Sequence, residues 1–174
     1  MTPAPTKKPE RLLSGLRQAI QAEVQGEHFY RMAAQATQDL QGRQVFNRLA
    51  DEEVQHQQFL RAQVKALEET GKPAAGLALG QPEKFPGDHP IFSAELRSRI
   101  GKAHYEMTAL AIGIQLELNA EAFYRKEAKA ARDTTVKGFF LKLADWEAGH
   151  YQALLRQQSS LKEDYWRAGG FAPF

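Results

Sequence analysis

The chain has 174 residues, 43% of them hydrophobic and 25% charged, with a formal net charge of +2. That length fits one domain with a sizeable core. The even charge balance argues against a nucleic-acid surface, despite the short basic run Thr6-Lys7-Lys8. With no cysteine, the chain cannot form disulfides, thiolate metal sites, iron–sulfur clusters or a cysteine nucleophile.

Residues 1–9 are proline-bearing and polar and are expected to lie outside the core. They lack the apolar stretch of a secretory signal, and no run of about 18 apolar residues follows. The expectation is a cytoplasmic protein with no membrane span. From Glu10 to Gln38, Leu13, Leu16, Ile20, Glu23, Glu27, Tyr30 and Ala34 alternate at spacings of three and four, which predicts a bundle helix. Asp39 to Gly42 reads as a turn. A second helix follows to Glu69, with Phe46, Leu49, Glu53, His56, Leu60, Gln63 and Leu67 on its inner stripe. Eight glycines and prolines between Gly71 and Pro90 mark a loop, and a short helix is expected at 92–100 with Ser93 as its cap. The third long helix spans about 105–131, with stripe Met107, Leu110, Ile114, Glu117, Glu121, Tyr124 and Ala128. Asp133 opens a fourth, running to about 163, with stripe Phe140, Leu143, Glu147, His150, Leu154, Gln157 and Leu161. The aromatic tail 164–174 is expected to pack back on the bundle.

An internal repeat organises these helices. Glu23 and Glu117, Tyr30 and Tyr124, Glu53 and Glu147, and His56 and His150 are each separated by 94 residues. Between Ile20–Val64 and Ile114–Gln158, 19 of 45 aligned positions are identical without a gap. Each half is a helix hairpin (10–70 and 105–163), and the crossover 71–104 is long enough to run the length of a bundle. All-α architecture, two duplicated hairpins and one long crossover predict a single ferritin-like four-helix bundle with a pseudo-two-fold axis.

The inner stripes carry six glutamates and two histidines and no lysine or arginine. A buried unpaired carboxylate costs several kcal/mol, so six in one layer call for cations from outside. Glu-x-x-His places both side chains on one helix face, about 300° and roughly 4.5 Å apart. Glu23 and Glu117 add one carboxylate each to Glu53/His56 and Glu147/His150. Four carboxylates and two imidazoles balance two divalent ions, and this is the ligand set of the carboxylate-bridged di-iron and di-manganese bundles; in that scheme Glu53 and Glu147 would bridge, His56 and His150 would bind one ion each, and Glu23 and Glu117 would be terminal. Oxygen and imidazole donors suit iron or manganese, and zinc can enter the same site. Glu27 and Glu121 lie one turn further along and are candidate additional ligands or hydrogen-bond partners. Tyr30 and Tyr124 are candidate donors to a ligand carboxylate. His28, His89 and His104 fall outside the pattern, and Trp146, which replaces Glu52 in the repeat, reads as local packing.

Glu23-Val-Gln-Gly-Glu-His-Phe-Tyr30 with Leu49-Ala-Asp-Glu-Glu-Val-Gln-His56, and Glu117-Leu-Asn-Ala-Glu-Ala-Phe-Tyr124 with Leu143-Ala-Asp-Trp-Glu-Ala-Gly-His150, resemble the rubrerythrin branch of the ferritin-like superfamily. The resemblance covers all four long helices. It implies a di-iron centre that reacts with hydrogen peroxide or dioxygen, commonly in a homodimer. Rubrerythrins also carry a rubredoxin-like domain with four cysteines. This chain has no cysteine and stops at Phe174, so the expected electron donor is a separate protein. The peroxidase members have an extra glutamate three residues after the third-helix ligand, where this chain has Ala120, and end the fourth-helix motif in glutamate rather than His150. The sequence therefore looks more like the stand-alone rubrerythrin-like proteins. Three functions follow as expectations: a di-iron oxidoreductase acting on peroxide or dioxygen, a ferroxidase that handles iron, and a helical interaction module stabilised by metal.

Overall fold

The computed structural model describes residues 7–80 and 90–169. Four long helices dominate: α1 (Lys7–Ala36), α2 (Leu40–Thr70), α4 (His104–Ala130) and α5 (Thr134–Ala168). A short α3 (Ala94–Ser98) and a 3-10 turn (Ile100–Lys102) lie in the crossover. The described residues contain no strand, and the architecture is the expected all-α ferritin-like bundle. Among the described residues, no helix is long and apolar enough to cross a membrane.

Two apolar clusters set the direction of each helix. One gathers Leu16, Leu60, Leu67, Tyr124, Phe139, Phe140 and Leu143; the other gathers Tyr30, Phe46, Leu49, Phe92, Leu110, Leu154 and Leu161. Thus α1 and α5 run from the first cluster to the second, and α2 and α4 run the opposite way. On every long helix the glutamate or Glu-x-x-His pair lies between its contributions to the two clusters. The polar layer is therefore enclosed at both ends by apolar packing. The crossover leaves α2 at one end, contributes Leu79 to the first cluster and returns Ile91, Phe92 and Ile100 to the second. It traverses the bundle as its length implied.

The repeat is visible in the local chemistry. Asp39 caps α2 by accepting from Gly42 N at 2.7 Å, and Asp133 caps α5 by accepting from Thr135 N at 2.8 Å and Val136 N at 3.0 Å. Tyr30 stacks on Phe46 and Tyr124 on Phe140, with centroids 6.3 and 6.0 Å apart. Gln63 Oε1 accepts from Ala74 N at 2.9 Å, and Gln157 Oε1 accepts from Ile91 N at 2.8 Å. These matched glutamines hold the two sides of the crossover to the bundle.

Several boundaries differ from expectation. Because Asp39 satisfies an amide of the first turn, Leu40 to Gly42 are already helical, and the turn shortens to the residues before them. Gly42 is needed there, since a Cβ would lie 2.5 Å from the Phe92 ring. α2 closes at Gly71, whose φ of 70° is the left-handed cap that glycine adopts freely. Ser93 does cap the crossover helix, accepting from Leu96 N at 3.2 Å, but that helix is only five residues long. The fourth long helix does not stop at 163. It runs to Ala168 because no glycine or proline falls between Glu163 and Gly169, and Arg97 grips Asp164 at 2.6 Å. Tyr165 and Trp166 are consequently on a helix and each 46% exposed, rather than folded back. The remainder of the expected tail, 170–174, lies outside the described residues, as do residues 1–6 and His89. His28 and His104, outside the repeat pattern, are exposed.

Candidate metal centre

Each long helix delivers its polar residues to the same layer. Glu23 comes from α1, Glu53 and His56 from α2, Glu117 from α4, and Glu147 and His150 from α5. All six are at most 4% exposed. They form two sets in which one donor atom per residue lies within 4.8 Å of the others: Glu23, Glu53, His56 and Glu147; and Glu53, Glu117, Glu147 and His150. Glu53 and Glu147 belong to both sets. Glu23 with His56 and Glu117 with His150 each belong to one.

The donor atoms converge, and they satisfy one another only in part. His56 Nδ1 lies 3.0 Å from Glu147 Oε1 and 3.3 Å from Glu23 Oε2, and His150 Nδ1 lies 3.2 Å from Glu147 Oε2. Yet both Glu147 oxygens are buried with no hydrogen bond. Unbonded buried oxygens facing imidazole nitrogens fit a cation, which would take a lone pair from each. This donor set could hold metal ions.

The electrostatics say the same. Burial, reinforced by Glu53 and Glu147, raises the Glu23 carboxyl well above its ordinary range. Burial pushes Glu117 up to about 7, against the pull of His150, and also raises Glu53. For Glu147, burial acts upward, but His56 and His150 on either side outweigh it and hold the carboxyl below its usual value. Burial disfavours charge on the two histidines, and the surrounding carboxylates overcome it: both are raised, His56 chiefly by Glu147 and His150 chiefly by Glu117. The layer thus retains protons where cations would otherwise compensate its negative charge.

The tyrosines cross between halves. Tyr30 Oη donates to Glu117 Oε1 and Tyr124 Oη donates to Glu23 Oε1, so each of these carboxylates is oriented by the opposite hairpin. Burial, with Glu117 beside it, raises the Tyr30 hydroxyl well above its usual value and keeps the proton it donates. Glu27 and Glu121 turn elsewhere. Glu27 Oε2 accepts from Gln57 Nε2 at 2.8 Å, and Glu121 Oε1 accepts from Arg125 Nε at 2.7 Å. Neither belongs to the two sets. Gly26 brings α1 close to the bridge position, since a Cβ there would lie 3.2 Å from the Glu53 carboxyl carbon.

Glu52 is the participant that sequence reasoning passed over. It is 2% exposed, accepts from the Trp146 indole N–H at Oε2, and places the same oxygen 2.7 Å from His150 Nε2. The repeat comparison favours identities, and Glu52 faces Trp146 across it, so the mismatch reads as local packing. The signal was the charge itself: three consecutive acidic residues, Asp51 to Glu53, cannot all leave a helix on its wet side. Trp146 does more than pack. Its ring also stands perpendicular to His56, with centroids 4.7 Å apart.

Fold and site together define a ferritin-like bundle with carboxylate–imidazole clusters suited to metal. The family model for rubrerythrin matches residues 15–157, which include every residue of both clusters, and the chain belongs to that family. The family typically binds a di-iron centre. No curated protein and no solved structure matches the chain.

Proposed function

We propose that the protein is a di-iron oxidoreductase that reduces hydrogen peroxide or dioxygen with electrons from a separate donor protein, acting as a cytoplasmic homodimer. The observation that carries this reading is the pair of four-residue sets sharing Glu53 and Glu147. Glu23, Glu53, His56 and Glu147 would hold one ion; Glu53, Glu117, Glu147 and His150 would hold the other. Two bound ferrous ions would supply the two electrons that, with two protons, convert hydrogen peroxide to two waters. The chain's own residues do the rest. Tyr30 and Tyr124 fix the terminal carboxylates, and the apolar clusters at both ends keep bulk water out of the layer. Re-reduction is assigned in this reading to a separate donor protein.

The test is anaerobic loading of the full chain with ferrous iron, metal analysis, and addition of peroxide. The expected result is about two ions per chain and one peroxide consumed per two ferrous ions oxidised, repeated on adding a reductant. Uptake of less than one ion per chain would overturn the reading. The same residues would serve a ferroxidase, and that alternative predicts oxidised iron leaving the site rather than returning to the ferrous state. Bound metal that raises the melting temperature without any turnover would indicate the interaction module instead. Sedimentation checks the dimer.

A further inference from the structure

The two histidines have identical places in the repeat and different surroundings. His150 turns Nε2 to Glu52 at 2.7 Å, whereas His56 Nε2 is buried with no hydrogen-bond partner. The position that would supply a carboxylate to His56 is 94 residues after Glu52, and there the chain has Trp146. An indole N–H only donates, so the Glu52 oxygen it meets acts as an acceptor. The same oxygen therefore accepts from His150 Nε2–H. Once the ring gives up its other proton, this contact keeps the remaining one outward on Nε2 and turns the Nδ1 lone pair toward Glu117 and Glu147. His56 has no such constraint. To present Nδ1 as a ligand it must leave a proton on a buried nitrogen with no acceptor.

We infer that the two metal positions are unequal and fill in order: the His150 position first and most tightly, with Glu52 as its positioning residue, and the His56 position second. Trp146 creates the inequality twice, by holding Glu52 in place for one histidine and by occupying the place of a carboxylate for the other. This rests on the reading that the cluster holds two ions. Carboxylate partners of ligand histidines typically alter metal affinity by about 10–100-fold, and that is the separation expected between the two positions.

The experiment is a titration of the metal-free full chain with Co(II), followed by calorimetry and by the visible absorption of the bound ion. The expected result is two steps whose dissociation constants differ by about 10–100-fold. Glu52→Gln should weaken the tighter step by a similar factor, leave the weaker step unchanged, and alter the spectrum of the half-loaded protein. Circular dichroism of the metal-free variant checks that it folds. Trp146→Glu, which offers His56 a carboxylate, should tighten the weaker step, and it tests the inference if Glu52→Gln does not fold. Two ions bound with equal affinity, or Glu52→Gln acting on both steps alike or on neither, would overturn the ordering and leave the paired centre standing. Fewer than two ions bound by the unsubstituted chain would overturn the paired centre itself.

Discussion

In the first hairpin, Asp39 caps a helix, Tyr30 reaches across to Glu117, and Arg31 pairs with Asp51 at 2.6 Å. In the second, Asp133 caps a helix, Tyr124 reaches across to Glu23, and Arg125 pairs with Asp145 at 3.2 Å. Each pair obeys the same 94-residue offset. Around the histidines the match ends: Glu52 stands behind one and Trp146 beside the other. The difference separates two demands on a duplicated bundle. Residues that make both clusters possible have kept their identity in both halves, because losing either copy would strand buried charge. Residues behind the histidines each meet one histidine only, so the halves can differ there without unfolding the layer.

The sharpest way to break the symmetry is at the shared residues. If Glu53 and Glu147 both bridge, replacing either by alanine removes a ligand from both positions. Glu53→Ala and Glu147→Ala should each reduce bound metal from about two ions per chain to none, measured by elemental analysis after desalting. Loss of one ion with the other retained would show that the substituted residue serves a single position. Glu23→Ala or Glu117→Ala is the natural control, since each touches one set only.

The pairs also differ in how they hold protons. Glu23 and Glu117 are both raised, chiefly by burial, so the carboxylates that belong to one set each behave alike. Glu53 is raised while Glu147 is lowered, so the two shared carboxylates do not. A carboxyl whose folded value lies above its unfolded one contributes stability at low pH and loses it as pH rises through the folded value. For Glu117 that window runs from 4.5 to about 7, and the raised histidines act in the same direction. Glu147 opposes them only at acid pH, below its ordinary carboxylate range. The metal-free protein should therefore melt lower at pH 7.5 than at pH 5.5, and metal should have the opposite profile because binding displaces those protons. Apparent affinity should rise by at least about tenfold per pH unit over this range. A metal-free protein whose melting temperature is flat between these values would contradict the assignment of protons to the layer.

Much of this arrangement is legible in the sequence. The constant offset carried the fold, because two hairpins and a crossover of that length leave few other ways to bury four glutamate-bearing stripes. It also carried the six clustered residues, since buried Glu-x-x-His repeated in register has few structural explanations. What stayed hidden depended on geometry across the bundle. Periodicity places Tyr30 and Glu23 on one stripe, but the bonds run to the other hairpin, to Glu117 and from Tyr124. Glu27 and Glu121 share the stripe spacing, yet Gln57 and Arg125 draw them aside. Glu52 was hidden by the very comparison that exposed its neighbours, because a mismatch in a repeat reads as a lost residue. Trp146 looked like packing because sequence does not show where an indole N–H points.

The mildest probe of the comparison is the tyrosine pair. Tyr30→Phe and Tyr124→Phe each remove one hydroxyl and leave the ring to stack on Phe46 or Phe140. The terminal carboxylate opposite then loses its donor and some of its orientation, at a cost of about tenfold in metal affinity at that position. Tyr30→Phe should weaken the position containing Glu117, and Tyr124→Phe the position containing Glu23. Because the pair is equivalent, the two factors should agree even though the starting affinities differ. Calorimetric titration of both variants reads this directly. Equal factors on unequal positions would show that the tyrosines kept their common role while the histidine surroundings diverged. Unequal factors would mean that the asymmetry at Glu52 and Trp146 extends through the whole layer rather than resting behind the histidines.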